Sequence, residues 1–123
     1  MRTVRLTGPA RRDIASILRW TEDRFGADAR TRYRMLIDAA IRELAENPDR
    51  PGVRSIADVR PGYWIYPLRF SRRQERRTLV ARPRHLLAFC RYDDEVLVIA
   101  RLFHERQVLE RHLGRAPSED GRR

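Results

Sequence analysis

The sequence contains no lysine, so all 27 of its basic residues are arginine. An adjustable amine is therefore missing from any acid–base scheme, because a guanidinium stays protonated at every workable pH. Cysteine occurs once, at Cys90, which rules out an internal disulfide and suits a reducing compartment. Histidine occurs three times, at scattered positions, and no metal or cofactor is expected. The stretch HERQVLERH has the outline of a zincin helix, but that motif needs a second His four residues after His104. Val108 stands there instead, and the next His is His112. No window approaches the roughly 18 apolar residues of a membrane span. The first 13 residues alternate Arg with apolar side chains and lack the apolar run of a signal peptide, so a cytoplasmic protein without membrane association is expected.

What the chain does have is positive charge. Arginine outnumbers the 17 acidic residues to give a formal +10 over 123 residues. Such an excess favours an acidic partner, either an acidic protein segment or nucleic acid, and does not choose between them. The length suits one domain, and a 41% hydrophobic content is enough for one core.

Residues 2–7 alternate, with Val4 and Leu6 on one side, and read as a short strand. Thr7-Gly8-Pro9 then signals a helix start, and Ala10, Ile14, Ile17, Leu18, Thr21 and Phe25 form one apolar stripe that Gly26 stops. After a link of two or three residues Asp28 can cap a second helix. Its stripe is Ala29, Tyr33, Leu36, Ile37, Ala40, Ile41 and Leu44, and it ends before Asn47-Pro48. Its outer face alternates Arg34, Asp38, Arg42 and Glu46, the pattern of a solvated helix. So short a link makes the two helices an antiparallel hairpin.

The rest reads as strands. Residues 48–52 are loop, and Pro61-Gly62 is a turn. Trp64, Tyr66, Leu68 and Phe70 alternate with Ile65, Pro67 and Arg69; Pro67 has no amide donor, so this strand should be an edge or carry a bulge. Segments 85–92 and 95–103 are two β-rich runs joined at Asp93-Asp94, a hairpin signal. On alternation, Arg101 shares a face with Leu97, Ile99 and Phe103, and Arg91 with His85, Leu87 and Phe89. Between the strands, 71–83 is a loop with five Arg. Val108, Leu109 and Leu113 pin a short terminal helix whose Arg106, Glu110 and Arg111 face outward. The expected fold is α+β: a helical hairpin on a small, twisted, mainly antiparallel sheet, in one domain over 1–113, with 114–123 a disordered tail.

Candidate chemistry gathers at IARLFHERQVLERHL, residues 99–113. A ribonuclease needs cations for the scissile phosphate and a group that moves a proton, and Arg84, Arg91, Arg101 and His104 are the available set. An Arg among aliphatic residues must meet an anion or water; Arg101 can also be an internal strut paired with Glu105 or Asp13. One His and several Arg make a thin nucleolytic centre. Cys90 reads as a core residue.

The ordered set LTGPARRDIASILRWTEDRFG, LAENP, RPG, PRHLLAFCRY and VIARLFHERQVLERHL resembles the ParE branch of the RelE/ParE toxin superfamily, over residues 4–113. The Arg-rich stretch 71–83 is longer than the tight turn of the shortest relatives. The resemblance implies the toxin half of a type II toxin–antitoxin pair, with a role in plasmid or chromosome stabilisation. It also implies a ParD-like antitoxin that wraps the toxin, and DNA gyrase as the target. The RelE branch instead cuts messenger RNA on the ribosome, and a toxin fold without toxicity is a third reading. On these readings Arg101, His104, Arg106 and Arg111 are target contacts, and Arg84, Arg101 and His104 would serve a ribonuclease. Tyr33, Leu36 and Trp64, if partly exposed, would anchor an acidic antitoxin segment beside Arg69 and Arg91.

Overall fold

The computed structural model describes residues 1–71 and 86–104. The expected loop beyond residue 71, the terminal helix and the tail lie outside the described residues. The order is β1 (Thr3–Leu6), α1 (Gly8–Phe25), α2 (Ala27–Glu46), β2 (Arg54–Ser55), β3 (Trp64–Pro67), a 3-10 turn (Leu68–Ser71), β4 (Leu86–Tyr92) and β5 (Val96–His104). These form an α+β arrangement with one five-stranded sheet in the order β1-β5-β4-β3-β2. All neighbours are antiparallel except β1, which runs parallel to β5 with Thr3 opposite Val96 and Leu6 opposite Ile99.

The hairpin forms for the reasons its sequence suggests, with two changes. Thr7 Oγ1 accepts the Ala10 N–H at 3.0 Å and so caps α1, with Pro9 in its first turn. The link between the helices is Gly26 alone, at φ +94°, so Asp28 lies inside the first turn of α2 and does not cap it. Ala10, Leu18 and Thr21 are buried along α1, but Phe25 at the end of the stripe is 59% exposed. It meets the exposed Trp20 edge to face at a ring separation of 5.8 Å. The α2 stripe is buried from Ala29 to Leu44, with Ile41 half-buried. On its outer face Arg34 and Asp38 stand 3.7 Å apart.

The sheet is buried on both faces. Toward the helices, Leu36, Ile37, Ala40 and Leu44 meet Tyr66, Leu86, Ala88, Cys90, Leu97, Ile99 and Leu102. On the other face, Ile56, Tyr63, Ile65, Leu87, Phe89, Ala100 and Phe103 form a second cluster. This explains why β4 and β5 are apolar at nearly every position.

Three strand expectations are corrected. The run from Trp64 stops as a strand at Pro67, which pairs with Leu87 beyond the end of the two-residue β2. The chain then winds into the 3-10 turn, which buries Leu68 and Ser71 and leaves Phe70 44% exposed. The second concerns β2, which sequence reasoning missed altogether. Third, the β4–β5 ladder shifts register: Phe89 faces Arg101 while Cys90 faces Ile99, so Ala100 is an extra residue. The alternation breaks there, and Phe103 joins the outer cluster while Leu97, Ile99 and Leu102 join the helix-side one. Arg101 therefore does not share one face with Leu97, Ile99 and Phe103.

Candidate contact surfaces

Beyond Ile99 the side of β5 away from β4 has no strand partner among the described residues, because β1 stops at Leu6 opposite Ile99. The start of α1 supplies the missing groups. Thr7 N–H donates to the Ile99 carbonyl at 3.2 Å, and its hydroxyl donates to the Ala100 carbonyl at 2.7 Å. One turn on, Asp13 Oδ2 accepts the Leu102 N–H at 2.9 Å and Arg101 Nε at 2.7 Å, while Oδ1 accepts Arg101 Nη2 at 3.0 Å. The two side chains are 19% and 15% exposed, and the Arg101 guanidinium also lies 4.4 Å over the Phe103 ring. Arg101 is thus a strut between helix and sheet, and the bulge at Ala100 is the local irregularity from which it reaches Asp13. His104 closes β5 opposite Leu86. Arg84, Arg106, Arg111 and the His104 side chain lie outside the described residues.

The five residues expected to hold an antitoxin do not form one surface. Tyr33 and Leu36 are 7% and 0% exposed inside the helix-side core, so Leu36 presents no accessible anchor. Its place in the middle of the α2 stripe, facing the sheet, is the reason. Trp64 is half-buried on the helix side, its ring tilted against Tyr92 at a centroid separation of 4.7 Å. Arg69 is exposed over the Phe70 ring at 5.3 Å. Arg91 is exposed and opens on the opposite face of the sheet, away from Trp64.

Tyr92 belongs to a clasp near the β4–β5 turn. Arg2 Nε donates to the Asp93 carbonyl at 2.6 Å, its guanidinium lies 5.3 Å over Tyr92, and the Tyr92 hydroxyl donates to Asp49 at 2.8 Å. Burial, and then the hydrogen bond to Asp49, push the Tyr92 phenol above its ordinary range. In the turn, Asp93 Oδ1 accepts the Glu95 and Val96 N–H groups, both at 2.8 Å, and these bonds hold its carboxyl below the usual carboxylate range.

Two groupings were not read from the sequence. Under α2, Tyr66 donates to Ser71 Oγ at 2.7 Å and Ser71 donates to Glu43 Oε1 at 2.6 Å, while Arg50 Nη1 stands 3.0 Å from the same oxygen. Glu43 is 8% and Ser71 0% exposed, so this chain ties the helix end to the end of β3. Burial raises the Tyr66 phenol. Its one sequence signal was Glu43 beside the apolar stripe. The second grouping is a cleft of about 580 Å³ on the outer face, lined by Arg5, Gly62, Arg91, Asp93, Val96 and Val98 among others. Only the strand register could reveal it, since Arg5 and Arg91 are far apart in sequence.

Chemically, these arrangements bind and brace. Cys90 is buried, and burial pushes its thiol up to about 12, far from a usable nucleophile. Among the described residues no three His, Cys, Asp or Glu side chains are grouped to hold a metal. Among the same residues, no helix is long and apolar enough to cross a membrane. A family model described as the ParE toxin of the type II toxin-antitoxin system parDE matches residues 4–109. No curated protein matches the chain.

Proposed function

The chain belongs to the ParE toxin family of type II toxin–antitoxin systems, and from that premise we infer that it acts in the cytoplasm on DNA gyrase and is neutralised by a ParD-like antitoxin. The observation that carries the choice of gyrase over RNA is the state of Arg101. On the ribonuclease reading this cation is one of those that hold the scissile phosphate, yet its Nε–Nη2 edge and its charge are committed to Asp13. An inhibitor that works by docking needs no such free cation. The exposed Arg91 and Arg69 and the +10 balance suit an acidic antitoxin segment.

The test uses purified protein with gyrase and relaxed plasmid, run beside ribosomes programmed with messenger RNA. Lost supercoiling or trapped cleavage complexes are expected, with the RNA intact. Ribosome-dependent RNA cutting with gyrase unaffected would move the assignment to the RelE-like reading. No effect in either assay would leave a non-toxic antitoxin-binding protein. Thermal unfolding with the neighbouring gene product addresses the partner separately. A ligand that binds only the folded form at about 100 times its Kd adds about 2.7 kcal/mol. An unmoved midpoint at saturation would rule that partner out.

A further inference from the structure

We propose that the outer face of the sheet carries a docking site for an extended, acidic peptide segment of a partner protein, centred on the row Arg5–Val98–Arg91. The row follows from register. Arg5 on β1 is paired with Val98 on β5, and Val98 is paired with Arg91 on β4. Three adjacent strands thus present guanidinium, isopropyl and guanidinium in line, and all three residues line the cleft. With strands about 4.8 Å apart, the two arginine Cα atoms stand about 10 Å from each other. Residues i, i+2 and i+4 of an extended chain face one way and span about 13 Å, a mismatch that long arginine stems absorb. The complementary segment therefore reads acid–apolar–acid at alternate positions.

Both arginines are exposed, and neither makes a salt bridge among the described residues. Asp93 at the cleft end shares its charge with Arg2 as well as Arg91, so two guanidinium groups already face this one carboxylate before Arg5 is counted. The floor, Val96 and Val98, is aliphatic and half-buried. The rings on this face point to a peptide over a nucleic acid. Tyr63, Phe89 and Phe103 are 7%, 2% and 5% exposed, and Tyr63 stacks on Phe89 at 5.1 Å. None of these three offers an open ring on which a base could stack, and Tyr92, which also borders the cleft, has its ring against Trp64 and the Arg2 guanidinium. The inference stands on the cleft and does not depend on gyrase being the target.

The probe is a fluorescein-labelled peptide with the pattern Glu-Ser-Val-Ser-Glu flanked by serines, titrated by anisotropy at low salt. A single-stranded oligothymidine serves as the rival ligand. Net charge alone attracts both, so the variant Arg5→Glu with Arg91→Glu is compared with Arg19→Glu plus Arg32→Glu on the hairpin. The cleft pair should weaken peptide binding by about tenfold more than the hairpin pair, the loss expected for broken charge-assisted contacts. Arg5→Gln with Arg91→Gln repeats the comparison without reversing charge, and thermal midpoints check folding. Equal losses in the two pairs, or no peptide binding to the parent protein, would overturn the proposal. So would an oligonucleotide that binds more tightly and loses affinity only in the cleft variants, which would give the surface to nucleic acid.

Discussion

Arg101 shows how one carboxylate can set the role of a cation. Asp13 holds it by two nitrogens and takes the Leu102 amide as well, so its removal affects more than one bond. Arg101→Ala leaves a mostly buried Asp13 facing a single amide and should lower stability by about 2–4 kcal/mol in a denaturant titration. Asp13→Ala should lose a similar amount, because it also orphans the Leu102 N–H. The double substitution should cost clearly less than the two singles added, since the partners share one interaction. Additive losses would show that the pair does not act as a unit. The sequence left the partner of Arg101 open between Asp13 and Glu105, and periodicity could not choose: the residue lies beside a bulge that alternation cannot see. Leu36 and Tyr33 failed as surface anchors for a related reason. A stripe residue is assigned to the core by the same spacing that makes it look like an anchor, and only packing decides which.

At the scale of elements, the long helices and the β4–β5 hairpin were legible because each carries a sustained period. Pro67 suggested an edge or a bulge, but β3 lies between β4 and β2 and the proline instead stands at its end. What escaped was short or aperiodic. The two residues of β2 carry no pattern, the link of one residue is shorter than local rules suggest, and the 3-10 turn continues the i, i+2 look of a strand while turning away. Two glycines separate local conformation from packing. Gly26 and Gly52 have φ of +94° and +102°, a region where an L side chain is strained. A Cβ on Gly26 would meet nothing within 4 Å, whereas on Gly52 it would lie 2.6 Å from Cδ2 of Phe70. Gly26→Ala should therefore cost about 1 kcal/mol from the backbone alone. Gly52→Ala should cost more, and removing the ring in Gly52→Ala/Phe70→Ala should recover part of the difference. Equal midpoints for the two single variants would mean that the loop yields freely around Phe70.

Across the whole molecule, charge of one sign dominates. The ion pairs at Arg30–Glu22 and Arg34–Asp38 are exposed and contribute little, so self-repulsion of a +10 chain is the larger electrostatic effect. Raising salt from 0.01 to 0.1 M shrinks the Debye length from about 30 Å to about 10 Å. The thermal midpoint should rise over that range; a fall would mean that attractive pairs outweigh repulsion. A different consequence follows from the parallel pairing of β1 with β5. It joins residues about ninety positions apart, and closing such a loop costs about 2 kcal/mol more than closing one of ten. Of the described strands, β5 is also the last to leave the ribosome, yet it stands second in the sheet between β1 and β4. The helical hairpin can exist before it; the sheet cannot. Synthesis interrupted before Val96 yields a hairpin that can meet only β3 and β4, with β1 unpaired and Asp13 without Arg101.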